Sequence, residues 1–177
     1  MPQTIIIYKG KYGATRQYAD WLGEAIQQPV TPVQNVTKDQ LHTADFILLG
    51  SSVYIGKLLI SEWIRRNAQL LKNKKLLLFV VCGNGSPKEQ ERIIKHSIPD
   101  GLIDRSDIFF LPGRLIFSKL SWKDKLLLKI GAMKAKNPET RKRMLQDVDN
   151  VQPELLTPLV NKMSILHAAH SSAPTGI

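Results

Sequence analysis

Tyr8-Lys9-Gly10-Lys11-Tyr12-Gly13-Ala14-Thr15 stands between a β-branched run, Thr4 to Tyr8 (TIIIY), and a stretch whose apolar residues recur at helical spacing. The run before it reads as a buried strand. The stretch after it, Thr15 to Ile26, reads as a helix, because Tyr18, Ala19, Leu22, Ala25 and Ile26 fall on one face. A glycine-containing turn between strand and helix is where a phosphate is held. Such an anion needs several unpaired backbone N–H groups, close approach and a helix N-terminus. Gly10 and Gly13 permit the turn and the approach, and Thr15 adds a hydroxyl donor. The competing reading is an ordinary tight βα turn.

Working outward, Val30 to Val36 is a weak strand, placed at an edge by Pro29 and Pro32. Phe46 to Gly50 is a second buried strand, with Ser51 to Gly56 as its loop. Ile60 to Leu71 is a helix with Ile60, Trp63, Ile64, Ala68 and Leu71 on one face. Leu76 to Cys82 is a fully apolar strand, followed by a loop to Pro87 and a helix over Pro87 to His96. Ile108 to Leu111 is a further strand. The last helix falls within Gln152 to His167, with Thr157 as its cap and Pro158 at its start. Strands alternating with helices imply right-handed crossovers and a parallel sheet covered on both faces. The expectation is one α/β domain over residues 1–170, with a basic helical insert at about 114–143 and a disordered tail at 171–177.

The spacing Ile7-Tyr8 … Gly13-x-Thr15-x-x-x-Ala19-x-x-Leu22 resembles the FMN-binding signature of flavodoxins. That resemblance implies a three-layer α/β/α sandwich, a five-stranded sheet in the order 2-1-3-4-5, and a ligand at the switch point between first and third strands. One position departs: the family usually has Ser or Thr where this chain has Gly10. A hydroxyl is missing there, so phosphate binding is expected to be weakened or re-routed, with Lys9 or Lys11 compensating by charge. Gly50-Ser51-Ser52-Val53-Tyr54-Ile55-Gly56 resembles the flavodoxin loop that carries an aromatic onto the flavin. Tyr54 would stack on the ring and Gly56 would let the backbone approach. A packed surface aromatic is the alternative. Cys82-Gly83-Asn84-Gly85 offers backbone amides and the Asn84 side chain to the polar edge of the ring. The cofactor-binding candidates are therefore Lys9 to Thr15, Ser52 to Gly56 and Cys82 to Gly85, and no catalytic side chain is assigned.

Composition narrows the class. Cys82 is the only cysteine, so no intramolecular disulfide forms, which fits a reducing cytoplasm. No His–Asp arrangement surrounds it in sequence, so it reads as a small hydrophobe at a strand end, with thiol chemistry as the alternative. The N-terminus lacks the pattern of a signal peptide, and no apolar run is long enough to span a bilayer. His42, His96, His167 and His170 show no metal-ligand spacing. The net charge is +10, yet ten basic and two acidic residues between Arg114 and Arg143 carry +8 of it. Charge in one block, without a recognisable reading motif, argues against a nucleic-acid-binding protein.

Within that block, Ser121 to Lys136 reads as an amphipathic helix capped by Ser121, with Asp124 at the third helical position. Trp122, Leu126, Ile130 and Met133 share one narrow sector flanked by lysines. Lysines beside an apolar stripe suit an interfacial helix in peripheral contact with a membrane. Packing of the stripe on the domain is the other reading. Trp122-x-Asp124-Lys125-x-x-x-Lys129, with Glu139-Thr140 and Arg141-Lys142, is similar to the insertion of bacterial flavodoxin-type, menaquinone-dependent protoporphyrinogen oxidases. That similarity implies FMN, a quinone acceptor, a role in heme biosynthesis and a place at the inner face of the membrane. The alternative is a flavodoxin-type electron carrier whose basic face docks an acidic protein partner.

Overall fold

The computed structural model describes residues 2–83, 85–134, 137–139 and 145–172. Its main sheet is built from β1 (Thr4–Lys9), β2 (Val30–Pro32), β3 (Phe46–Tyr54), β4 (Lys57–Leu58), β5 (Lys75–Cys82) and β6 (Ile108–Pro112). Five of these run parallel in the order β2-β1-β3-β5-β6, while β4 folds back antiparallel on the end of β3. With β4 set aside, this is the doubly wound order 2-1-3-4-5. The helices are α1 (Ala14–Ile26), α2 (Lys38–Thr43), α3 (Ser61–Leu71), α4 (Pro87–Ser97), α5 (Trp122–Lys134) and α6 (Thr157–Ser172).

Alternation along the strands divides the core into two layers. Ile6, Leu48 and Leu77 stand in register across β1, β3 and β5 and face Tyr18, Ala19 and Leu22 of α1 and Met163 of α6. Ile5, Ile7, Ile47, Leu49, Leu76 and Leu78 face the other way, toward Leu41 of α2, Ile64 and Leu71 of α3 and Ile93 of α4. Each fully buried Leu or Ile stabilises the fold by roughly 1.5–3 kcal/mol. Continuous apolar strands are therefore what a sheet covered on both faces requires. At its N-terminal edge, Asp107, 1% exposed, binds Lys75 at the start of β5 and Lys162 of α6.

Several elements differ from the sequence reading. β2 ends at Pro32, and a 3₁₀ turn over Val33–Asn35 then tucks Val33 into the core. α2 was not predicted, although Thr37 and Gln40 form its capping box. β3 continues through Ser51 to Tyr54, so the expected loop shrinks to the two-residue turn Ile55-Gly56 before β4. A further ladder, β7 (Arg114–Leu115) with β8 (Val148–Asp149), brings the chain back beside the end of β6. Arg114 Nε holds Asp149 Oδ2 at 2.7 Å across it. Thr157 is the first residue of α6 rather than its cap, its hydroxyl donating to the Glu154 carbonyl at 2.7 Å. α6 runs to Ser172, so Ser171 and Ser172 are helical where a disordered tail was expected; residues 173–177 lie outside the described residues.

Candidate functional site

A cavity of about 640 Å³ opens at the C-terminal edge of the sheet, where β1, β3, β5 and β6 end. This is the switch point of the fold, since the chain leaves β1 for β2 on one side and β3 lies on the other. The volume falls within the range of small-molecule and cofactor sites, roughly 300–1,000 Å³.

One wall is the start of α1. Gly13 caps the helix with φ 87°, a left-handed conformation that favours glycine, and supplies no side-chain cap. The first turn carries no acidic residue. Its N–H groups thus keep the positive end of the helix dipole free for an anion. Thr15 is 1% exposed, lines the cavity, and its hydroxyl has no protein partner. A buried hydroxyl without a partner costs about 1–3 kcal/mol, so the site wants a ligand that bonds it. A Cβ at Gly10 would come within 2.7 Å of the Thr15 Cβ. The serine or threonine usual in the resembled signature would clash with Thr15 in this conformation.

The second wall is the end of β3. Ser52, Val53, Tyr54 and Ile55 all line the cavity, and the buried Ser52 hydroxyl has no protein partner. Ile55 and Gly56 both have positive φ, 48° and 72°, as the favoured two-residue hairpin turns demand. Ile55 is β-branched and 68% exposed, so the chain holds a strained residue at the cavity mouth. Val81, Cys82 and Gly83 form the third wall. Burial pushes the Cys82 thiol up, against the opposing backbone hydrogen bond from Gly85.

The fourth wall comes from α5 and the residues just before it. Ser121 accepts a 3.2 Å bond from the Asp124 N–H and so caps α5 as predicted. The Asp124 carboxylate, however, turns inward. Lys11 Nζ lies 2.7 Å from Asp124 Oδ2, the Tyr12 hydroxyl donates to the same oxygen, and the Tyr54 hydroxyl donates to Oδ1 at 2.6 Å. Lys11 Nζ also sits 3.9 Å from the centre of the Tyr54 ring. Burial opposes ionisation of Asp124. Lys11, the two tyrosine hydroxyls and Ser121 outweigh it and hold the carboxyl well below the usual range. For Lys11, burial likewise opposes the charge, but Asp124 and Tyr54 raise its pKa.

Because Asp124 faces inward, the apolar sector of α5 faces outward. Trp122 is 71% exposed, Leu126 51% and Ile130 44%, and Met133 is exposed beyond them. All four side chains of the stripe are exposed.

Of the predicted site residues, Lys11, Tyr12, Ala14, Thr15, Ser52, Val53, Tyr54, Ile55, Cys82 and Gly83 converge on the cavity. Lys9, Gly10, Gly13, Gly56 and Gly85 shape the surrounding turns without lining it. Asn84 lies outside the described residues, as do Thr140, Arg141 and Lys142 of the insert motif. Lys11 pairs with Asp124 and so does not stand free to offset the hydroxyl missing at Gly10, contrary to expectation. Sequence reading missed Pro112, Gly113 and Arg114 at the end of β6, Leu120, Asp124, Leu127 and Leu128 around α5, and Val148 and Asn150. A solitary acid among lysines was the available signal for Asp124. The described residues hold no cluster of three or more His, Cys, Asp or Glu side chains suited to a metal, and none of their helices is long and apolar enough to cross a membrane.

Among solved structures, a flavodoxin from the domain Archaea superposes with a TM-score of 0.44 and 17% identity, over 81% of this chain and 94% of that one. Two-electron reduced Megasphaera elsdenii flavodoxin gives 0.47 and 20%, over 61% and 85%. A flavoprotein in complex with FMN from Lactobacillus acidophilus gives 0.44 and 13%, over 63% and 91%. No curated protein matches the sequence. The family model described as a flavodoxin domain matches residues 5–143, most of the chain including the loop after β1 and α5. The chain belongs to the flavodoxin domain family.

Proposed function

We propose that the cavity holds one FMN and that the protein is an FMN-dependent oxidoreductase passing electrons from a bulky reduced substrate to a quinone. The observation that carries this reading is the cradle at α1, where Thr15 presents a buried, unpartnered hydroxyl beside an uncapped helix N-terminus. A phosphate ester supplies the acceptor that Thr15 and the helix amides lack. Tyr54 and Ile55 then flank the planar ring, Tyr54 fixed by its bond to Asp124. FMN when bound supplies the electron chemistry, and the chain supplies binding, orientation and electrostatics.

The donor we favour is protoporphyrinogen, supported by the similarity of Trp122, Asp124, Lys125 and Lys129 to the insertion of the flavodoxin-type protoporphyrinogen oxidases. A membrane-resident quinone as acceptor is supported by the outward stripe of α5. Leaving Trp122, Leu126 and Ile130 exposed forgoes roughly 1.5–3 kcal/mol of burial per side chain. Lys123 and Lys129 stand exposed among them, a pattern that suits anionic headgroups. The test is oxidation of protoporphyrinogen by the FMN-loaded protein with a menaquinone analogue, with and without anionic vesicles. Turnover that rises on vesicles supports the reading. Flavin reoxidised only by another protein, with no small-molecule turnover, would make the chain a carrier and its basic face a docking surface.

A further inference from the structure

α5 meets the domain through a buried carboxylate. Among its described side chains Asp124 and Ala132 are buried. Asp124 contributes a carboxylate shared among groups far away in the chain. Lys11 and Tyr12 come from the loop after β1, and Tyr54 from the end of β3. All three line the cavity, and so does Asp124. Charge-assisted hydrogen bonds are about twice as strong as neutral ones, and a buried carboxylate without them would be costly.

We infer that Asp124 is a positioning residue: it docks the insert helix on the two cofactor loops, and it sets the Tyr54 ring and neutralises the Lys11 charge at the cavity mouth. The docking part stands on the protein alone, and the part concerning Lys11 and Tyr54 toward the flavin rests on the reading above. Two consequences separate them. Without the carboxylate, two tyrosine hydroxyls lose their acceptor and α5 loses the contacts that join it to β1's loop and the end of β3. Lys11 also becomes an uncompensated cation beside the ring. A positive charge there favours the reduced, more negative flavin over the oxidised one.

The experiment uses two variants of the full chain. Asp124→Asn removes the charge; the double variant Tyr12→Phe/Tyr54→Phe removes two donors and leaves both charges in place. Amide hydrogen exchange of the segment 120–133 is measured first, without FMN. Exchange should speed up about ten- to a hundredfold in both variants, with the sheet unchanged. Unchanged exchange in both would overturn the docking role, and the double variant keeps this test open should Asp124→Asn fail to fold. The midpoint potential of bound FMN is measured next. Asp124→Asn should shift the ratio of reduced to oxidised FMN affinity about tenfold, equivalent to ~30 mV upward for a two-electron couple. The double variant, with its charges intact, should leave the potential in place. A helix held merely for structure would move exchange but not potential, so an unmoved potential in Asp124→Asn overturns the electrostatic role. If the unmodified protein takes up no FMN, the flavin part falls with the proposed function, while exchange still decides the docking.

Discussion

The two ends of the sheet each bury an aspartate among lysines, and the two are put to different use. At the N-terminal edge, Asp107 is clamped by Lys75 of β5 and Lys162 of α6 and lines neither the main cavity nor the smaller cleft beside α4. It joins a strand to a helix, both already part of the core. At the C-terminal edge, Asp124 joins α5 to the loop after β1 and the end of β3 and forms part of a cavity wall. A similar pairing therefore serves as structural fastening at the closed end and as positioning at the open end. Burial and pairing alone do not mark a functional carboxylate; what the partners line does.

The comparison breaks most sharply on stability. Removing one partner from a buried ion pair costs roughly 3–5 kcal/mol. Lys75 and Lys162 are each about a third exposed, which screens part of that. Asp107→Ala should thus lower the unfolding free energy by about 2–3 kcal/mol in urea titration. It should leave ligand binding at the cavity unchanged; an equal loss of both would merge the two ends. The same clamp predicts acid sensitivity. Burial opposes ionisation of Asp107, but Lys75 and Lys162 outweigh it and depress its pKa. Its contribution is then fully present above the ordinary carboxylate value of about 4 and is lost as pH falls through the lower folded value. Asp107→Ala should flatten the acid limb of a stability–pH curve.

Smaller effects belong to the cavity end. Asp124→Ala should lower global stability by about 1.5 kcal/mol, the loss to which about tenfold faster exchange of α5 corresponds, and less than Asp107→Ala, because the sheet does not depend on α5. A loss matching that of Asp107→Ala would show that the insert is part of the core. Ile55→Gly relieves a β-branched residue at positive φ and should raise stability by about 1 kcal/mol. A loss instead would mean that Ile55 makes contacts that outweigh its strain.

Much of this was legible in the sequence because it is local. The apolar runs of β1, β3 and β5 gave a parallel sheet, and the resemblance carried by the glycine turn before α1 and the loops after the later strands supplied its order and ten of the cavity residues. Thr37-x-x-Gln40 was a readable cap, yet α2 is too short for periodicity to reveal it. The Ile55-Gly56 turn hid because isoleucine is among the residues least suited to positive φ. The partners of Asp124 could not be read at all: Tyr12 lies 112 residues away and Tyr54 70, and only the folded chain brings them together. That same contact decides which way α5 faces. The sequence shows the apolar sector of Trp122, Leu126 and Ile130 but not its rotation; α5 is apolar on both sides, Leu127 and Leu128 facing the cavity, and is not the amphipathic helix expected.

The most direct test of the central claim is a fluorescence titration of FMN with the purified protein and with Thr15→Ala. The flavin should be quenched saturably at one FMN per chain, and the affinity should fall about ten- to a hundredfold in Thr15→Ala while the fold is retained. FMN whose fluorescence and absorption are unchanged by the unmodified protein would contradict the account.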